Sequence, residues 1–227
     1  MKVFVSLDKK SYSKKPNNLV RVKYSAVEGW QEIELRKLAD LVGNQGHAMI
    51  PGHLVEGIGA KDCKAMQLFA LDFDHGSSFQ EIKGKCDSLG LPIAFAYHTY
   101  SSSEKEEHFR IVFAHESLIE DEFVIKVVLA MLHKIFPECD FACKNLDRLF
   151  LGGKELIYAD ENARLALVQL LFPFYEAMSR GESRKRNIFN FCKKYKILTY
   201  NDMAAMGPME HLPLYGETAG IMERAII

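Results

Sequence analysis

The chain has 227 residues, 48% of them hydrophobic, and its 29 Lys and Arg against 30 Asp and Glu give a net charge of -1. That length and apolar content suffice for a packed core, as one large domain or a domain with a smaller appendage, and argue against a disordered chain. The charge balance excludes an overall basic field, so a nucleic-acid partner has to be met by a local patch.

The opening "MKVFVSLDKK" lacks the long apolar stretch of a signal peptide. No later segment reaches the roughly 18 apolar residues needed to cross a membrane, which points to a cytoplasmic protein with no membrane partner. Residues 1–60 read as a strand from Val3 to Leu7, a polar loop "KKSYSKKPNN", a second strand near Leu19 to Tyr24, and a helix "EIELRKLADLV" closed by Gly43. The loop is either a mobile basic arm or an ordinary solvated connection.

From residue 67 the periods alternate. A strand over 67–74 precedes a helix over about 78–89, then a strand over 92–98 and the polar turn "SSSEKEE". A strand over 108–113, a helix over 118–135 and short strands around 147–158 follow. The fold class is therefore α/β in the α+β sense, with a mixed β-sheet core flanked by helices. Past about residue 160 the character turns helical, which predicts a core over 1–160 and a small helical C-terminal segment over 161–227. The weakly patterned end suggests a piece of a longer protein.

Five cysteines form no C-x-x-C pair. Cys139 and Cys143, four apart, are either half of a zinc site without a convincing second pair or plain reduced thiols.

The chemistry concentrates in three stretches. In "FALDFD" (69–74), Asp72 and Asp74 leave one face of a strand at its C-terminal end. Two ionised carboxylates aimed at one spot repel unless a cation lies between them, and Mg²⁺ or Mn²⁺ takes such oxygen ligands. The alternative is a strand-end turn with two solvated acids. In "YHTYSSSEKEEHFRIVF" (97–113), His108 and Arg110 share a face, and His98, Thr99 and Ser101 add hydrogen-bonding groups. In "CDFACKNLDRLFLGG" (139–153), Asp140 or Asp147 is a third acid, while Arg148 and the following Lys154 bring positive charge.

The order of these three stretches resembles the archaeo-eukaryotic primase (AEP) superfamily, most closely the primase-polymerases of phages, plasmids and other mobile elements. The resemblance spans the central 90 or so residues. It implies two-metal nucleotidyl transfer, with Asp72, Asp74 and Asp140 holding two Mg²⁺ or Mn²⁺ ions and Asp147 as the substitute third ligand. It implies nucleotide contacts from His108, Arg110, His98, Ser101, Arg148 and Lys154, with NTP or dNTP as substrate and single-stranded DNA as template. Arg184, Lys185 and Arg186, in "GESRKRNIFNFCKKYKI", are the corresponding template contacts, or else a solvated helix start. A helicase domain or other replication proteins are the further partners the resemblance suggests.

Two rival functions fit parts of the pattern. One is a phosphatase that opens on Asp-x-Asp, where the first Asp is the nucleophile, although His75 here precedes Gly76. The other is a non-catalytic replication-initiator or nucleic-acid-binding module of the same fold.

Overall fold

Alternation of the buried Val3, Val5 and Leu7 makes Lys2–Leu7 strand β1, the centre of a three-stranded antiparallel sheet. Its neighbours are β2 (Trp30–Glu34) and the two-residue β3 (Met49–Ile50). The structure, a computed structural model, describes residues 1–170 together with Pro173, Phe174 and Ala177.

Between β1 and β2 the chain forms helix α1 (Leu19–Glu28), where the alternation in "VRVKY" predicts a strand. Two local features decide for the helix. The Asn18 side chain accepts the Arg21 N–H at 3.0 Å as an N-cap, and the buried residues are Val22 and Ala26, one turn apart. Helix α2 (Leu35–Gly43) ends where expected but starts later, because "EIE" belongs to β2.

Pro51 separates β3 from β4 (Gly52–Leu54), so the chain passes between sheets at the residue that lacks an N–H. The second sheet contains β4, β5 (Cys63–Phe73), β6 (Phe95–His98), β7 (Phe109–Ile119) and β8 (Glu155–Ala159), in the order β4-β5-β7-β6-β8. The class is α+β, as expected. The sheets, however, are antiparallel throughout rather than mixed. β5 and β6 do run parallel across helix α3 (Phe79–Leu89), but β7 is inserted between them, so each meets only antiparallel neighbours.

β5 is buried along nearly its whole length, as a strand covered on both faces must be. Helix α4 (Glu122–Ile135) begins at Glu122 rather than 118, because Asp121 caps it by accepting the Phe123 and Val124 N–H groups. The strands expected around 147–158 reduce to β8 and one bridge between Met49 and Phe150.

Register assigns the faces. Phe73, opposite Phe109, packs under α3 and the end of α4, through Phe79 on Phe109 and Phe136 on Phe73. Asp72, opposite Arg110, and Arg110, opposite Tyr97, share the other face, and α2 lies against the β6 and β8 part of that face. Ala163, Leu165, Leu170 and Phe174 join the same core. The rest of the helical segment expected over 161–227, with Arg184, Lys185 and Arg186, lies outside the described residues. Among the described residues no helix is long and apolar enough to cross a membrane.

Candidate active site

Asp72 is the last but one residue of β5, and Asp74 follows directly after the strand. The strand alternation sends both carboxylates the same way. Asp140 reaches them from the turn after α4, where its own N–H donates to the Asp72 carbonyl at 2.8 Å. One carboxylate oxygen from each of the three acids lies within 4.8 Å of the others. Asp147 is not part of this cluster. It takes the Lys23 ammonium at 2.6 Å, so Asp140 is the third acid.

Two guanidinium groups hold the acids. Arg110 grips both Asp72 oxygens, Nε to Oδ1 at 2.8 Å and Nη2 to Oδ2 at 3.2 Å, and sends Nη1 to the Leu151 carbonyl. Arg148 Nη2 bridges Asp72 Oδ2 at 2.8 Å and Asp140 Oδ2 at 2.7 Å. Both guanidiniums stack near the Phe150 ring, at 5.6 and 5.2 Å. Burial alone would make this arrangement costly, since Asp72 is 2% exposed. The paired geometry is what offsets that cost.

Burial opposes the charge of Arg148, but Cys143, Asp140 and Asp72 hold its pKa above the ordinary value. Burial pushes the Asp140 carboxyl up, yet the Ala142 N–H and Arg148 outweigh it and keep its pKa below the usual range. Cys143 is tied into the same site, since its sulfur accepts the Asp72 N–H at 3.2 Å. The hydrogen bond from Cys139 lowers the Cys143 pKa against the effect of burial, and Cys139 itself is raised. Neither cysteine is in a disulfide, and among the described residues no metal-ligand cluster includes a cysteine.

A cleft of about 860 Å³ opens above Asp72, Asp74, Arg110 and Arg148. His75 and His108 line one side, Thr99, Tyr100 and Ser101 another, and Lys14, Lys15, Leu19, Val20 and Lys23 form the rim. Those rim residues come from α1 and the polar loop before it. That loop is tethered rather than free, because Tyr12 donates to the buried Asp8 at 2.7 Å and Tyr100 donates to the Tyr12 carbonyl at 2.6 Å.

Not every expected contact arrives at the cleft. His108 does, with Nδ1 3.5 Å from Asp74 Oδ1. Ser101 lines the turn and shares a 2.9 Å hydrogen bond with Thr99. His98 lies opposite Phe109 in register, on the face away from Arg110, and is held at 2.9 Å by both Glu107 and Glu155. Lys154 is exposed and its ammonium donates to the Ser102 carbonyl, outside the cleft lining. Sequence reasoning missed Lys14, Lys15 and Lys23 as cleft residues. The signal for Lys14 and Lys15 was the basic character of the loop, which carries no address more than 50 residues away, and Lys23 lay in a segment read as a strand.

The donor set suits Mg²⁺ or Mn²⁺, since three carboxylates converge and both Asp74 oxygens are free of hydrogen bonds among the described residues. Arg148 competes for two of the same oxygens, so a bound ion would have to displace it.

No protein-family model matches the chain, and no curated protein matches it. Among solved structures it is similar to the AEP domain of the cyanophage S-2L primase-polymerase, at 12% identity and a TM-score of 0.44 over 76% of this chain and 88% of that one.

Proposed function

We propose that the chain is a primase-polymerase that carries out metal-dependent, template-directed nucleotidyl transfer on single-stranded DNA. The observation that carries this reading is the convergence of Asp72, Asp74 and Asp140 beneath a cleft rimmed by lysines. The order of motifs in the sequence supports it independently.

Asp72, Asp74 and Asp140 would hold the divalent ions. When bound, such ions lower the pKa of an attacking 3′-hydroxyl and neutralise a triphosphate and its pyrophosphate leaving group. Arg110 orients Asp72, because its guanidinium is occupied by that carboxylate and by the Leu151 carbonyl. Arg148 is the group free to change partners, passing from the Asp72 and Asp140 oxygens to a triphosphate oxygen. Lys14 and Lys15 meet further phosphates at the rim. No protein nucleophile is needed.

The test is extension and de novo priming on single-stranded DNA with Mg²⁺ or Mn²⁺, with ribo- and deoxynucleotides supplied separately. Asp74→Asn is expected to lower incorporation at least ~100-fold, the scale of losing one electrostatic group from a transition-state site. Unchanged incorporation by that variant would remove the assignment.

The double arginine grip on Asp72 favours a second reading, a nucleic-acid-binding module in which the acids no longer take metal. Calorimetry separates the two. Metal-dependent nucleotide binding belongs to the enzyme, and DNA binding without it to the module.

A further inference from the structure

A second group of metal-ligating side chains lies beside the carboxylates, at the mouth of the cleft. His75, Glu106 and His108 each offer one ligand atom, and the three atoms lie within 4.8 Å of one another. His75 Nδ1 is 2.8 Å from Glu106 Oε1, His108 Nε2 is 3.5 Å from Glu106 Oε2, and the two imidazole rings stand edge to face at 5.5 Å. Ligands around a tetrahedral ion with bonds of about 2.0–2.1 Å sit about 3.3 Å apart, so the group needs only small side-chain shifts to close on an ion.

The chemistry of this group differs from that of the three acids. Two imidazoles and one carboxylate select borderline first-row ions, whereas Mg²⁺ prefers an all-oxygen set. We propose that His75, Glu106 and His108 form a binding site for a transition-metal dication, with Zn²⁺ as its representative, separate from the Asp72, Asp74 and Asp140 cluster.

A second observation supports the site. His108 Nδ1 is buried and has no hydrogen-bond partner among the described residues, and the carboxylate of Asp74 lies 3.5 Å from it. A metal-bound imidazole characteristically turns its other ring N–H to a carboxylate, which fixes the tautomer and raises ligand basicity. With Nε2 on the metal, His108 would present its Nδ1–H to Asp74. The ion would thus explain both nitrogens of a ring that otherwise leaves one orphaned.

His75 and Glu106 are exposed, leaving the remaining coordination positions open to water or to a ligand in the cleft. Closing the group would also pin the turn that carries Glu106 to the end of β5, beside Asp74.

The experiment is Zn²⁺ titration of the full metal-stripped chain against a chromophoric chelator, with Co²⁺ absorption as a reporter of imidazole ligation. It requires no polymerase activity, so its failure and failure of the nucleotidyl-transfer reading are separable. The wild type is expected to take one equivalent of Zn²⁺ and to show a visible Co²⁺ ligand-field band. His75→Ala and Glu106→Gln alter exposed side chains, so the fold survives, and each is expected to weaken Zn²⁺ binding by about tenfold or more. Asp140→Asn, which leaves the buried Asp72 and Arg110 pair in place, is expected to leave Zn²⁺ affinity unchanged while taking one acid from the carboxylate cluster. Absence of stoichiometric Zn²⁺ binding, wild-type affinity in both His75→Ala and Glu106→Gln, or loss of Zn²⁺ only in the Asp140 variant would each overturn the proposal.

Discussion

Asp72 and Asp74 share a motif but not an environment. Asp72 is 2% exposed and neutralises parts of two guanidiniums, while the Asp74 side chain is 42% exposed and, among the described residues, has His108 as its one ion-pair partner. Asp72→Ala would leave Arg110 buried without its partner carboxylate, so it is expected to destabilise the fold by about 3–5 kcal/mol. Asp74→Ala is expected to cost less than about 1 kcal/mol. Urea denaturation of the two variants reads the difference directly, and equal midpoints would refute the account of the grip. Asp140 makes a different prediction. Its folded pKa is depressed, so its contribution to stability is present above the unfolded carboxylate pKa and fades as pH falls through the lower folded value. Asp140→Asn keeps an oxygen for the Ala142 N–H but loses the charge facing Arg148. The stability gap between it and the wild type, measured by thermal melts, should therefore be open at pH 7 and shrink below about pH 4. A gap independent of pH would place the effect elsewhere. Asp72, Asp74, His108 and Arg110 were legible in the sequence because two-residue spacing on a strand fixes a common face. His98 misled because its distance from Arg110 runs through a turn, and the register across that turn is not encoded in spacing.

Elements were legible where one period dominated. The long apolar run of β5 and the predominantly apolar α4 could be read from pattern alone. The α1 segment carried two periods at once, an alternating "VRVKY" and a Val22–Ala26 helical repeat, and its Asn18 cap was the deciding local signal. The insertion of β7 between β5 and β6 is non-local pairing, which no local pattern specifies. The connection that follows Phe150 depends on close packing in the same non-local way. A Cβ on Gly152 would lie 2.3 Å from the backbone of Gly46, a residue itself held at φ 80°. Gly152→Ala must therefore push the Leu151–Gly153 segment away from the 44–47 turn. It is expected to cost about 1–3 kcal/mol, the scale of an overpacked site, and to loosen the Leu151 carbonyl from Arg110. A chemical denaturation midpoint equal to that of the wild type would show that the two turns have room to separate.

At the scale of the whole molecule, a net charge of -1 conceals an uneven distribution. Lys14, Lys15, Lys23, Arg110 and Arg148 converge on one cleft, and a concave, low-dielectric site concentrates their field more than the overall balance implies. These cations are not equivalent. Arg110 and Arg148 are engaged by carboxylates, and Lys23 is neutralised by Asp147 at 2.6 Å. Lys14 and Lys15 are exposed and, among the described residues, have no ion pair, so they are the charges available to a strand entering over the rim. Each phosphate neutralised on single-stranded DNA contributes about 0.7 to the slope of log affinity against log salt. Lys14→Ala with Lys15→Ala is therefore expected to weaken binding of an oligonucleotide regardless of its sequence, and to reduce that slope by about 1.4 if each lysine meets one phosphate. Lys23→Ala should change it little, because its ammonium is already paired. Fluorescence anisotropy of a labelled single strand, titrated across KCl concentrations, measures both quantities. An unaltered slope in the double variant would mean that the strand does not cross this rim, even if the carboxylates beneath it bind metal.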